Sequence, residues 1–238
     1  MLICLWSGPR NVSTALMYSF AQRNDTTVID EPLYGHYLRV SDAQHPASQD
    51  VMDSMNCDGD AVMRELMQRA DSSSANQFAK HMAHHLTALD ETFLARTTNV
   101  LLVRNPRDML PSLSIQLPTP TLRDTGLKRQ WQLWQQLTAT GQTPAVLDAQ
   151  QLLANPSGVL HKLCDHLGIT FDAAMLEWPA GPRDEDGVWA PHWYHNVHKS
   201  TGFGSYQQKH DIDRALQPLL ETCAPFYDAL LEHAIRAE

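Results

Sequence analysis

The residues of this chain that could do chemistry fall into four polar clusters. The first is Ser7-Gly8-Pro9-Arg10-Asn11-Val12-Ser13-Thr14, between the apolar run Leu2-Ile3-Cys4-Leu5-Trp6 and the helix-like Ala15-Leu16-Met17-Tyr18. Strand, polar loop with one cation, then helix is an order that builds an anion site. The first helical N–H groups lack intrahelical partners, and the helix dipole favours negative charge beside them. The second cluster is Arg104-Asn105-Pro106-Arg107-Asp108, followed by Ser112. A strand-end arginine offers a planar fork to phosphate-type oxygens, and a serine two helical turns later adds a donor. The third, Asp30-Glu31-Pro32, supplies carboxylates for proton transfer. The fourth, Lys80-His81-Met82-Ala83-His84, supplies a cation and two imidazoles. Each also has a purely structural reading, as a capped helix start, a salt-bridged turn or a solvated strand end.

The elements that must position these clusters can be read from patterning. Leu2 to Trp6, residues 26–30 (TTVID), 77–80, 99–103 (NVLLV) and 144–148 (PAVLD) read as short buried strands. Residues 61–70 are helical by composition, and Pro106 suits the first turn of a helix. Leu122, Leu127, Trp131, Trp134 and Thr138 form one helical stripe, with the tryptophans as core packing. Asn155-Pro156-Ser157 opens a helix that Gly168 stops. Residues 213–237 read as helical, interrupted at Pro218 and Pro225. Residues 41–59 form a polar excursion near the site, and 181–204 an irregular, aromatic, His-rich segment. Strands alternating with helices predict an α/β fold with a mainly parallel sheet, in which ligands bind at the carboxyl ends of the strands. Three of the polar clusters follow predicted strand ends.

Composition narrows the classes. At 238 residues, 43% apolar and 19% charged, one globular domain over 1–238 is expected, with no internal repeat. The net charge of −9 argues against nucleic acid as partner, and with only 18 Lys plus Arg an anion site must gather its cations locally. No apolar run approaches the roughly 18 residues of a membrane span, and the opening apolar run is too short for a leader. A cytoplasmic protein with four reduced cysteines is the expectation. Two histidine groups, 81/84/85 and 192/195/198, raise a metal reading. An HxxHxxH spacing turns its third ring off the face of the first two on a regular helix, and no Cys or carboxylate completes a ligand set, so no metal is expected.

The first cluster is not a nucleotide-triphosphate loop of the GxxxxGK[ST] kind: counted from Gly8, the sixth position is Ser13, and no lysine is present. Pro9-Arg10-Asn11-Val12-Ser13-Thr14 instead resembles the loop of the sulfotransferase superfamily, Pro-Lys/Arg, two variable positions, then two hydroxyl residues. Arg104 to Ser112 (RNPRDMLPS) resembles that family's second motif. Leu152-Leu153-Ala154-Asn155-Pro156 with 160–171 resembles a third, structural stretch. The likeness spreads over most of residues 2–171. It implies a three-layer P-loop NTPase-like α/β fold with a central parallel sheet flanked by helices. It also implies a sulfuryl donor, 3′-phosphoadenosine 5′-phosphosulfate (PAPS). Pro9, Arg10, Asn11, Val12, Ser13 and Thr14 would hold its 5′-phosphosulfate, and Arg104 with Ser112 its 3′-phosphate. The acceptor would be a hydroxyl on a small molecule or carbohydrate.

Sulfuryl transfer needs a base for the acceptor proton. Some branches of the family use a Glu shortly after the second strand, which Glu31 matches. Others use a His in a K-x-H segment, which Lys80-His81-Met82-Ala83-His84 matches loosely, Met82 standing at the His position. Glu31 is therefore the expected base, His81 or His84 the alternative, and Lys80 a group that would neutralise the leaving phosphate or the transferring sulfuryl. The family's R-K-G-x-x-G closing loop is absent, and Lys199, Ser200 and Gly202 are expected to serve in its place. A small-molecule or nucleotide kinase, or a non-catalytic nucleotide-binding domain of the same fold, remains the alternative at this point. The oligomeric state is open.

Overall fold

The apolar runs read from the sequence form one sheet of five strands, all parallel, in the order β2-β3-β1-β4-β5. The computed structural model describes residues 1–206 and 212–237. In chain order the elements are β1 (Leu2–Ser7), α1 (Ser13–Phe20), β2 (Thr26–Asp30), α2 (Tyr34–Val40), α3 (Ser48–Ser54), α4 (Gly59–Ser72) and β3 (Asn76–Met82). There follow β4 (Thr98–Val103), α5 (Pro106–Leu113), α6 (Leu122–Thr125), α7 (Leu127–Ala139), β5 (Ala145–Asp148), α8 (Ala149–Ala154), α9 (Pro156–Leu167), α10 (Ala190–Trp193) and α11 (Gln217–Leu231). The fold is thus α/β, with helices on both faces of a central parallel sheet.

Strand alternation builds the two cores. Ile3 and Leu5 of β1 with Val100 and Leu102 of β4 pack on one face against Leu16 and Phe20 of α1 and Leu160 and Leu163 of α9. Cys4 and Trp6 with Leu101 and Val103 pack on the other against Leu66 of α4, Leu133 of α7 and Leu230 of α11. Burial on both faces is why these strands read as unbroken apolar runs. The strand order reverses beside β1: the chain leaves it for β2 and β3 on one side and later fills β4 and β5 on the other. Such a reversal opens a crevice at the carboxyl ends, and the loop after β1 lies in it.

Several boundaries differ from the sequence reading. The stripe over 122–138 is two helices, broken at Gly126, which has φ +73°. The break lets the first loop pass: a Cβ on Gly8 would stand 2.4 Å from the Thr125 carbonyl oxygen. Gly8 is therefore required by close backbone approach. Trp131 and Trp134 stack on each other, and Trp134 on His233, as structural packing. The 213–237 segment is a 3₁₀ turn over Arg214–Leu216 followed by α11, with Pro218 in the first turn of α11 and Pro225 inside it. The 41–59 excursion contains α3, pinned by buried Val51.

Candidate active site

The loop after β1 is held from below. Asn11 Nδ2 donates to the Leu102 carbonyl at 2.9 Å, and Asn11 Oδ1 accepts from Val12 N–H at 2.8 Å. Both ends of the Asn11 amide are thereby spent on shaping the loop. Arg10 takes φ +53°, a left-handed conformation that costs a non-glycine residue on the order of 1 kcal/mol and recurs at functional sites. Helix α1 starts with no side-chain cap and no acidic residue in its first turn. Ser13, Thr14 and Ala15 line a cavity of about 500 Å³ at this helix start.

Arg104, one residue past β4, joins the same wall: its Nη1 donates to the Arg10 carbonyl at 2.8 Å. Asn105 caps α5 by accepting from Arg107 N–H, with Pro106 in the first turn, and this helix carries Ser112 to the cavity. Arg10 Nε donates to Ser112 Oγ at 2.9 Å, and Arg10 Nη1 to the Trp193 carbonyl at 3.4 Å. The two basic clusters that the sequence set at opposite ends of a nucleotide are thus in direct contact. Both guanidiniums are pulled below their ordinary range, Arg10 by burial and then by Arg104, and Arg104 by burial against the opposing pull of Asp108. Among the described residues neither forms an ion pair. Two crowded cations facing a cavity beside free helical N–H groups form a cradle for a multiply charged anion.

Glu31 lines the same cavity as this cradle, and the carboxylates of Asp30 and Glu31 are organised by Lys80, on β3. Its side chain is fully buried, with Nζ 2.7 Å from Asp30 Oδ1 and 2.8 Å from Glu31 Oε1. It also donates to Thr14 Oγ1 at 3.3 Å and to Tyr194 Oη at 2.5 Å. One ammonium therefore ties the anion loop to both acids. Burial alone would lower its pKa, but Asp30 and Glu31 overcome that and hold it above the ordinary lysine value. Glu31 is raised above the ordinary glutamate range, chiefly by burial and also by Asp30, against the pull of Lys80. Its φ is +41°, a second left-handed residue facing the same space. Burial together with a neighbouring acid is how a carboxylate becomes a competent base near neutrality.

Tyr194 was not singled out by the sequence, because nothing in the spacing of 181–204 marks it. Its Oη donates to Asp30 Oδ2 at 2.7 Å and accepts from Trp189 Nε1 at 3.1 Å. Tyr18 Oη donates to Asp186, and His198 Nε2 pairs with the same carboxylate at 2.9 Å. The irregular segment is thereby strapped over the carboxyl ends of β2 and β3, and it brings Trp189, Trp193 and Tyr194 to the cavity.

The remaining sequence candidates divide. His84 lines the cavity, whereas His81, the other histidine expected as an alternative base, does not. Alternation on β3 sends Lys80 and Met82 to the cavity side and His81 to the other, where it stacks on Trp6 with ring centroids 4.3 Å apart. Ser200 and Gly202 line the cavity, whereas Lys199 is exposed and does not, so the cation expected of the closing segment is missing from it. His192 and His195 are exposed. Among the described residues, no three His, Cys, Asp or Glu are grouped as metal ligands.

His81 is buried with neither ring nitrogen partnered, and its pKa is pushed down to about 3 by burial and then by Lys80. An unsatisfied buried polar group costs about 1–3 kcal/mol. His81→Phe is therefore expected to stabilise the fold by roughly 1–2 kcal/mol in urea unfolding, the phenyl ring keeping the Trp6 stack. A depressed histidine contributes stability that is present above its ordinary value of 6.5 and lost as pH falls toward about 3. Across that window the unmodified protein should lose about 1.4 kcal/mol per pH unit more than the variant. Equal acid slopes would contradict the buried, neutral placement of His81.

Comparison with known proteins gives the family and supports the fold. A family model described as "Sulfotransferase domain" matches residues 1–234, and the chain belongs to that family. Two curated proteins of Arabidopsis thaliana are similar. "Branched-chain-amino-acid aminotransferase-like protein 1" is 40% identical over 230 residues, which are 96% of this chain and 41% of that protein. The protein numbered 2 of the same name is 38% identical over 234 residues, 98% and 42% of the respective lengths. The chain thus spans about two-fifths of the length of these relatives. Among solved structures, the "Sulfotransferase Domain from the Curacin Biosynthetic Pathway" superposes with a TM-score of 0.56 at 16% identity, covering 93% of this chain and 96% of that one. The sulfotransferase from Alicyclobacillus acidocaldarius gives 0.50 at 13% identity, covering 98% and 96%. At those identities the superpositions speak for the fold alone.

Proposed function

We propose that this chain, as one domain over 1–238, is a PAPS-dependent sulfotransferase acting on a hydroxyl of a small-molecule or carbohydrate acceptor, with Glu31 as general base. The observation that carries the reading is a single cavity joining two half-buried guanidiniums, without an ion-pair partner among the described residues, to a buried base, with Thr14 and Lys80 between them. PAPS, when bound, supplies a sulfuryl group already activated by its anhydride link to phosphate. The residues present fit a ligand with several anionic groups, since Arg10 and Arg104 face the cavity beside the open N-terminus of α1.

In this reading Arg10 and the N–H groups of Ser13 and Thr14 hold the 5′ end. Arg104 and Ser112 hold the 3′-phosphate. Ser112 Oγ accepts from Arg10 and keeps its own proton for a phosphate oxygen. Glu31 Oε1 stays on Lys80, and its other oxygen takes the acceptor proton. Lys80 keeps the paired acids compatible with a buried site and places its charge beside Thr14, where negative charge builds on the leaving side. The strap held by Tyr194 excludes water. The aminotransferase-like name of the Arabidopsis relatives is not carried over. A lysine that condenses with carbonyls needs a neutral amine, whereas Lys80, the one lysine buried among the described residues, is held protonated by two carboxylates.

Arg104→Ala tests the assignment of the 3′-phosphate. Loss of a charge-assisted contact costs about 1.5–3 kcal/mol, roughly 10- to 150-fold in affinity. By calorimetry the variant should weaken 3′-phosphoadenosine 5′-phosphate by that factor and adenosine 5′-phosphate hardly at all. Equal losses on the two ligands would show that Arg104 does not read the 3′-phosphate.

A further inference from the structure

Beyond the Glu31–Lys80 pair, the cavity wall is built by the turn that follows β3, a 3₁₀ turn over Ala83–His85. It carries two histidines whose rings sit at right angles, centroids 4.7 Å apart. Both line the cavity, His84 at 7% exposure and His85 at 1%. Nδ1 of each has no hydrogen-bond partner among the described residues. Buried polar side chains in native proteins are normally paired, so two adjacent imidazoles that line one cavity, each with a buried and unpaired Nδ1, mark a place where a ligand reaching the rings supplies partners. The surrounding wall is aromatic: Tyr34 lies parallel on His85 at 5.1 Å, edge-on to Trp189 at 5.2 Å, and donates to His45.

We propose that His84 and His85 read a second, uncharged hydroxyl of the acceptor, beside the one presented to Glu31, so that the substrate class is a vicinal diol or polyol with an apolar face for the aromatic wall. The inference rests on the sulfotransferase reading of the cavity and narrows its acceptor. A hydroxyl both donates and accepts, so it satisfies either tautomer of each ring. A carboxylate or phosphate in that place could accept only from an N–H and would favour an imidazolium. Burial opposes this strongly, pushing His84 down to about 3 and His85 well below the ordinary histidine value. Of the cations of the cavity, Arg10 and Arg104 face the donor and Lys80 is neutralised by Asp30 and Glu31; the charges acting on His84 are the carboxylate of Asp124, which lines the cavity, and Arg123, itself paired with Asp42 and Asp124. An anionic acceptor therefore finds no counter-charge there.

The test follows the imidazole ¹⁵N resonances of His84 and His85 in protein saturated with 3′-phosphoadenosine 5′-phosphate. Three matched probes are titrated: a vicinal cyclohexanediol, cyclohexanol and the corresponding hydroxycyclohexanecarboxylate. The diol should shift both imidazoles saturably and bind roughly 3- to 10-fold more tightly than the mono-ol, the range expected for added neutral hydrogen bonds. The carboxylate should bind least. In the double variant His84→Phe/His85→Phe, checked for folding by its retained nucleotide binding, the diol preference should vanish. Should that variant fail to fold, the titration of the unmodified protein decides alone. Equal affinity for diol and mono-ol, unresponsive imidazoles, or a preference for the carboxylate overturns the inference while leaving the donor assignment intact. Failure of 3′-phosphoadenosine 5′-phosphate to bind at all overturns the reading on which it rests.

Discussion

Glu31→Gln should lower turnover with any accepted hydroxyl substrate by about two to four orders of magnitude, the usual contribution of a positioned general base, with little change in nucleotide affinity. The amide preserves shape and can stay on Lys80, but cannot take a proton. The fold should survive, because Lys80 keeps Asp30 as its partner at 2.7 Å. The pH profile sharpens the test. Glu31 is raised by burial and by Asp30, so the acidic limb of kcat/KM should lie above the ordinary glutamate range, activity rising as the carboxylate ionises. That limb should disappear from the residual rate of the variant. Its survival would assign the proton transfer to another group, with His84 next in line because it faces the cavity and His81 does not.

Lys80→Met should cost about 3–5 kcal/mol at neutral pH, since removing one partner of a buried ion pair leaves uncompensated charge. Here the cost falls on two acids at once, both with side chains no more than 10% exposed. Without the ammonium, Glu31, already raised by burial and by Asp30, would hold its proton still more tightly in the folded state. The variant's stability is then greatest below the unfolded glutamate value and is lost as pH rises through the raised folded one. The gap between Lys80→Met and the unmodified protein, measured by urea unfolding, should therefore narrow as pH falls toward 4. Adding Asp30→Asn should recover part of the loss at neutral pH. A constant gap across pH would mean that Lys80 acts by packing and not by charge.

Much of this site could be read in the sequence because strand ends and helix starts are local features. The apolar runs placed the five strands, and the polar clusters after β1, β2 and β4 fell at the carboxyl ends where a parallel sheet binds ligands. The contact of Arg10 with Ser112, 102 residues apart, follows from two such loops sharing a reversal of strand order. What escaped depends on tertiary context. His81 and His84 look equivalent in Lys80-His81-Met82-Ala83-His84. Extending β3 to Met82 reverses their fates, because side chains alternate across a strand and a tight turn then brings His84 round. Tyr194, Trp189 and Trp193 lie in a segment with no periodicity, and only folding of the strap onto Asp30 reveals them. Lys199 stands where the resemblance implies a basic closing loop, yet it is exposed. The left-handed backbone of Arg10 and Glu31 had no sequence signal, since neither is glycine. Gly8 lies in the polar loop read from the sequence, but the close approach of Thr125 that requires a glycine there is a tertiary contact with no local signal.

The central claim is that the cradle at Arg10 and Arg104 holds a nucleotide phosphorylated at both its 3′ and 5′ positions. Thermal unfolding with added nucleotide tests it most directly. At a hundredfold excess over Kd, 3′-phosphoadenosine 5′-phosphate should contribute about 2.7 kcal/mol, raising Tm by roughly 5–10 °C for a chain of this size, while ATP with Mg²⁺ leaves it unmoved. Stabilisation by ATP with Mg²⁺ and none by 3′-phosphoadenosine 5′-phosphate would contradict the account.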